Sequence, residues 1–181
     1  MGDSFTITVD PSGLRVFQQA AAALAGPKLQ QALREALSAA GGKARTQVRR
    51  ALREQTNVKA ASDVNVRTRS FMNGSALEYK IEGINKALPI DRVKGLEVQT
   101  GQGGGVSAAP WNAPRQFQRS FVLDGKYVAR TGPDRFPLRR LWGPSIMKEL
   151  VKGESKDTFE RYATAELEAQ VTRKLERLLA P

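Results

Sequence analysis

Apolar residues that recur at helical spacing predict three helices, over residues 14–25, 28–55 and 157–179. The longest apolar face lies in the second stretch and comprises Leu29, Ala32, Leu33, Ala36, Leu37, Ala40, Ala44, Val48, Ala51 and Leu52. Gly41 and Gly42 interrupt this stretch, and two glycines cost about 2 kcal/mol of helix propensity relative to alanine. We therefore expect a kink or a close approach of another segment at this point.

Strands are predicted where apolar and polar residues alternate, at residues 5–9, 76–82, 96–99, 106–108 and 126–130. The segment 59–72 is ambiguous, because Asp63, Arg67 and Ser70 fit one side of a short helix that ends at Asn73-Gly74. The order of strand, helices, several strands and helix predicts an α+β fold. We expect a single domain over residues 1–181, with an antiparallel sheet and long helices packed on one of its faces.

Residues 101–116 are rich in glycine and proline, which predicts a flexible loop. The run from Gly101 to Gly105 does not match a phosphate-binding motif, because no Lys-Ser/Thr follows it and Val106 occupies the third glycine position of the dinucleotide fingerprint. Tryptophan is a favoured anchor at protein interfaces. We therefore expect the loop around Trp111 to become ordered against a neighbouring chain.

The composition excludes many kinds of chemistry. The 181 residues contain no cysteine and no histidine, which excludes disulfides, zinc–thiolate sites, imidazole ligands and His-based catalytic triads. We predict no catalytic residue, cofactor or metal. No apolar run is long enough to span a bilayer, and no signal peptide is recognisable at the start. The net charge of +11 favours a polyanionic partner such as nucleic acid.

The basic residues of the second predicted helix form a stripe. Arg45, Arg49 and Arg53 recur every fourth residue and share one side of the helix, with Arg34 close to the same side and Arg50 beside it. Such a stripe can follow DNA phosphates without reading bases. A solvated helix surface explains the same pattern and stays open as an alternative.

One set of residues fits an enzyme. Asp63, Glu78 and Lys80 follow the order Asp … Glu-x-Lys, which resembles the metal site of restriction-type nucleases. Glu-x-Lys is also a common pattern on exposed strands. A basic nucleic-acid-binding protein or Mg²⁺-dependent nuclease is therefore the alternative interpretation.

The segment from Phe136 to Leu150 resembles the minor tail protein Z family of long-tailed bacteriophages. In that family a Pro-Ile/Leu … Gly-Pro-Ser segment leads into the last helix. The matching residues here are Pro137, Leu138, Gly143, Pro144 and Ser145. Weaker similarities, in chain order, are the Ala- and Arg-rich helix 33–52, Leu88-Pro89-Ile90, Phe117, Phe121-Val122 and the strand 127–130. The sequence departs from the family around residues 101–116 and in the strand 5–9.

The resemblance implies a structural virion protein that completes the tail at the neck and is not an enzyme. The resemblance implies a ring, usually of six copies, that joins tail to head. Double-stranded DNA passes through this ring, and the subunits contact the DNA without sequence specificity. The implied partners are further copies of the chain, a tail terminator and a head completion protein, with no membrane. The protein would then be found in the virion, and in the host cytoplasm during assembly. Residues expected at contacts between subunits are Trp111, Arg139, Arg140 and Trp142.

Overall fold

A computed structural model describes residues 5–9, 26–101 and 104–179. Four helices are present in this part of the chain: α1 Pro27–Thr56, α2 Ala61–Asn65, α3 Ile146–Leu150 and α4 Gly153–Leu179. Its nine strands are β1 Phe5–Val9, β2 Thr68–Asn73, β3 Glu78–Gly83, β4 Glu97–Gln99, β5 Gly105–Ala108, β6 Arg115–Phe117, β7 Ser120–Leu123, β8 Lys126–Arg130 and β9 Leu138–Arg140. Single-turn 3₁₀ helices occupy Ile90–Arg92 and Pro110–Asn112. The predicted α+β class is confirmed.

The two long helices pack against each other and supply much of the hydrophobic core. The apolar face predicted for α1 is buried along its whole length. From α4, the core receives Phe159, Ala163, Leu167 and Val171. Burying such side chains contributes roughly 1.5–3 kcal/mol each for the larger ones. The same contiguous core includes residues of the strands and of α3, so these elements form one domain.

Ion pairs at the exposed edge of this helix pair hold α1 beside α4. Lys43 lies 2.8 Å from Glu166, and Lys174 pairs with Glu35. The hydrogen bond from Lys43 lowers the pKa of Glu166, and the hydrogen bond from Lys174 lowers the pKa of Glu35. Both pairs are solvent-accessible and therefore contribute little to stability compared with the apolar contact beneath them.

The strands form three separate three-stranded sheets, each entirely antiparallel, in the orders β1-β3-β2, β4-β5-β6 and β7-β8-β9. The sequence pattern led us to expect one sheet, because alternation identifies strands but carries no record of which strands pair. On β3, the predicted inward residues Tyr79 and Ile81 are buried in the core beneath α1.

The Gly41-Gly42 pair is explained by a close approach. α1 continues through both glycines, and a Cβ atom added at Gly41 would overlap the ring of Tyr79. The Cβ position of Gly42 has no neighbour within 4 Å. Gly41 is therefore the residue that lets β3 pack directly on α1.

Two segments differ from their sequence-based predictions. In 59–72 the helix α2 ends at Asn65 and β2 follows, so Ser70 lies on a strand. The predicted flexible loop 101–116 contains β5, a 3₁₀ turn and the start of β6. The helix predicted over 14–25 and the loop residues 102–103 lie outside the described residues. In the described ranges, no helix has both the length and the apolar character that crossing a bilayer requires.

Candidate functional site

The arginine stripe of α1 lies along strand β2. Arg45 donates a hydrogen bond to the Ser70 hydroxyl at 3.0 Å, and Arg49 donates to the hydroxyl and carbonyl oxygens of Thr68 at 2.8 and 3.0 Å. Four helical residues advance about 6 Å. Two strand residues advance about 6.6 Å. A stripe with a period of four therefore matches alternate residues of a strand that runs antiparallel to the helix.

These contacts correct the prediction that the whole stripe is available to DNA. Arg34 donates to the Gly74 carbonyl at 2.8 Å, so three of the five predicted DNA-contacting residues fasten the β2–β3 hairpin to α1. Arg53 donates to the Lys59 carbonyl at 2.8 Å, at the C-terminal end of α1. Arg50 is mostly exposed, and its partner is Glu54 on the same helix.

An open groove runs beside the C-terminal half of α1. It encloses about 660 Å³ and lies between α1, α2 and the backbone around Lys94. Its lining residues are Thr46, Arg49, Arg50, Arg53, Glu54, Ala61, Asn65 and Lys94. Four of these side chains are cationic and one is anionic, so the groove carries a surplus of positive charge.

Lys94 is the groove residue that sequence reasoning missed. Its backbone N–H donates to the Asn57 carbonyl at 2.9 Å, and Val58 bridges to Val93, which brings this lysine beside the end of α1. Nearly forty residues separate Lys94 from Arg53, and a single basic residue has no periodicity. Sequence spacing therefore offered no signal for it.

The electrostatics of the groove favour an anion. Burial lowers the pKa of Arg49, and the neighbouring positive charge of Arg45 lowers it further. The Nε atoms of Arg45 and Arg53 are buried without a hydrogen-bond partner in the described part of the protein. A phosphate in the groove would receive charge-assisted hydrogen bonds from guanidinium groups that α1 holds in place.

The residues of the nuclease-like pattern do not converge. In the β2–β3 register Thr68 opposes Gly83, whereas Asn73 opposes Glu78. Asp63 precedes the Thr68 end of this hairpin, and Glu78 lies at the other end, about five residues or roughly 17 Å away along the strand. Within the described ranges, no group of three acidic side chains is placed to hold a metal ion.

Asp63 and Glu78 have other partners. Asp63 accepts a hydrogen bond from Arg67, and Glu78 lies 3.1 Å from Lys80. The Arg67 side chain is 6% exposed and also donates to the carbonyl oxygens of Asp63, Lys86 and Ala87. The Asp63–Arg67 pair therefore connects α2 to the segment that follows β3.

A second surface is formed by the third sheet. Cross-strand pairing places Phe121, Val128 and Arg140 on one face. Residues that share this face by strand alternation are Leu123, Lys126, Arg130 and Leu138. Val128 on this face is buried, as are Ser120 and Ala129 on the opposite face. We call the first set the outer face of the third sheet.

Arginine–aromatic pairs cover this part of the molecule. The Arg130 guanidinium lies 5.2 Å from the Phe121 ring, and that of Arg140 lies 4.6 Å from the Trp142 ring. Trp142 is 48% exposed. Arginine and tryptophan are enriched among the residues that dominate binding energy at protein interfaces. The predicted interface residues Arg139, Arg140 and Trp142 are thus all accessible at this sheet.

Trp111 lies apart from that sheet. It is 40% exposed, and the Arg115 guanidinium lies 5.3 Å from its ring. Its 3₁₀ turn is already fastened to the end of α1, because Asn112 donates to the Glu54 carbonyl and Asn57 donates to the Ala109 carbonyl. The expectation that this loop needs a neighbouring chain to become ordered is therefore wrong.

The Gly-Pro-Ser segment connects the third sheet to the last helices. After a cis Phe136–Pro137 bond, Leu138 begins β9. The Gly143 N–H donates to the Leu88 carbonyl at 2.7 Å, and a Cβ at Gly143 would lie 2.9 Å from Val93. Pro144 is buried and Ser145 immediately precedes α3. The segment therefore has a packing role, and it leads into a short helix before α4.

Comparison with protein-family models, with curated proteins and with solved structures finds no match for this chain. A function is therefore inferred from the sequence resemblance, from the groove beside α1 and from the surface of the third sheet.

Proposed function

We propose that the protein is a structural component of a tailed-phage virion that completes the tail at the neck. In this proposal several copies form a ring, with six as the number that the family resemblance implies, and DNA passes through the ring. The neighbouring partners would be a tail terminator and a head completion protein. The protein would work by contact and not by catalysis.

The cationic groove beside α1 is the observation that carries this proposal. Arg49, Arg50, Arg53 and Lys94 line this groove together, and among the described residues no aromatic side chain lines it for base stacking. Contacts of this type hold the phosphate backbone without reading its sequence. A channel through which DNA slides requires such contacts, because specific base contacts would hold the DNA at one position.

The exposed third sheet supports assembly. Val122, Leu123, Phe136 and Trp142 are large apolar residues with more than a third of their surface exposed, and all lie within residues 120–142. A cluster of exposed apolar residues beside arginines is typical of a protein–protein contact surface. A ring needs one contact surface for each neighbour in addition to the surface that faces DNA.

Removing two groove cations should weaken DNA binding. The double variant Arg50→Ala, Lys94→Ala is expected to bind a short random-sequence duplex about tenfold more weakly near 0.1 M salt, because each lost phosphate contact removes counterion release. The slope of log K against log salt should fall by about 2. Fluorescence anisotropy over a salt series measures both quantities.

A control variant removes two positive charges at positions outside the groove. Lys28 and Lys148 are exposed and do not line the groove. The variant Lys28→Ala, Lys148→Ala should bind DNA nearly as well as the unaltered protein. Equal losses in the two double variants would show that net charge, and not the groove, determines DNA binding.

A further inference from the structure

The solvent side of α4 is acidic although the protein as a whole is strongly basic. Residues 153–170 contain five Asp or Glu and two Lys or Arg, a net charge of −3 in a chain of net charge +11. Glu154, Asp157, Glu160 and Glu168 are exposed. We call these four residues the acidic face of α4.

The third sheet carries the opposite charge. Residues 115–142, which contain its three strands, include seven Lys or Arg and two Asp, a net charge of +5. Of the cations, Lys126, Arg130 and Arg140 belong to the outer face of the sheet, which also carries the exposed Leu123 and the half-buried Phe121. The chain thus presents a basic, partly aromatic surface and, on a different element, an acidic one.

We propose that the outer face of the third sheet in one copy docks on the acidic face of α4 in the next copy. The proposal rests on the proposed assembly function and identifies the contact that builds the ring. Opposite charges attract across this contact, whereas pairing either surface with itself would bring like charges together. The contact is therefore heterologous, and repeating it produces a closed ring or a filament.

A shallow pocket beside the acidic face fits the strongest anchors of the sheet. It lies between α1 and α4 and is lined by Gln47, Arg50, Ala51, Glu54, Glu154, Thr158, Arg161 and Tyr162. Arg140 and Trp142 form a stacked pair that combines a guanidinium with an aromatic ring. The pocket offers two carboxylates for the guanidinium and, for the indole, the exposed ring of Tyr162, over which the Arg161 guanidinium lies at 5.4 Å in the single chain.

Exposed ion pairs hold both carboxylates of the pocket in the single chain, and Glu154 also accepts a hydrogen bond from the Thr158 hydroxyl at 3.2 Å. Arg50 pairs with Glu54 at 3.2 Å, and Arg161 pairs with Glu154 at 3.6 Å. Exposed pairs of this kind contribute little to stability. Glu54 and Glu154 can therefore exchange these pairs for contacts with a neighbouring copy at small cost, and Arg50, which also lines the groove, stays available there to DNA.

Site-specific cross-linking tests this contact directly, because the chain has no cysteine of its own. One sample carries Lys126→Cys on the outer face of the sheet, and another carries Glu160→Cys on the acidic face of α4. Each sample is treated with a short bismaleimide, alone and after mixing. We expect about tenfold more dimer in the mixture than in either sample alone, because like-charge pairing is strongly disfavoured. Raising the salt concentration should reduce the yield.

A charge exchange provides the matched control. Arg130→Glu with Arg140→Glu, added to the Lys126→Cys chain, should abolish the mixed product. Adding Glu154→Arg and Asp157→Arg to the Glu160→Cys chain should restore it. The proposal would be overturned if the mixed sample gave no cross-linked dimer, or no more dimer than the single samples. It would also be overturned if the charge exchange on α4 failed to restore the dimer.

Failure of the proposed contact can be distinguished from failure of the proposed function. A protein that occupies the neck of the virion but yields no mixed product would retain the proposed function and refute this contact. Conversely, a protein that forms the mixed product but is absent from virions would retain the contact and refute the neck assignment.

Discussion

Replacing Arg67 with alanine is expected to lower the free energy of unfolding by about 3–5 kcal/mol, because it breaks a buried ion pair from one side. Arg67 is 5% exposed and donates hydrogen bonds to the Asp63 carboxylate and to three backbone carbonyls. Without it, the buried Asp63 carboxylate would retain only Arg92, at 4.0 Å. Urea denaturation monitored by circular dichroism measures the loss.

The neighbouring Arg69 provides a matched control for Arg67. It lies two residues later, on β2, and is exposed, so Arg69→Ala should change the free energy of unfolding by no more than about 0.5 kcal/mol. A similar loss in both variants would mean that this segment as a whole, and not the buried pair, is sensitive to substitution.

Gly41→Ala is expected to destabilise the protein by about 1–3 kcal/mol, although alanine is the better helix former. The new methyl group would overlap the buried ring of Tyr79, and the ring cannot move away without displacing β3 from α1. Thermal and urea unfolding should both show the loss, and the far-ultraviolet spectrum should keep its helical content.

Gly42→Ala serves as the control for Gly41 because it makes the same chemical change one residue later. The Cβ position of Gly42 is open, so this variant should gain about 0.5–1 kcal/mol from helix propensity. If Gly41→Ala were also stabilising, the close contact between α1 and Tyr79 would be wrong.

Sequence patterns predicted the elements whose residues alternate between core and solvent. α1, α4 and β3 each bury residues on one side, and that burial imposes the period from which they were recognised. The short strands β6, β7 and β9 were missed. Each has three or four residues and little burial, so it lacks a pattern long enough to identify.

The candidate site was only partly predictable for a related reason. The spacing of Arg45 and Arg49 correctly placed them on one side of α1, but spacing does not say what that side contacts. The contacts with β2 depend on how the strands pack on the helix. Lys94 reaches the groove through a backbone bridge between distant segments, which no local pattern records.

The central claim is that copies of this protein surround DNA at the neck of a phage particle with the groove toward the channel. A cryo-electron microscopy reconstruction of the neck, from particles released by cells that carry the gene, tests it most directly. We predict a ring of subunits with this fold in which Arg50 and Lys94 face the DNA. A neck without this fold, or a ring whose groove points outward, would contradict the account.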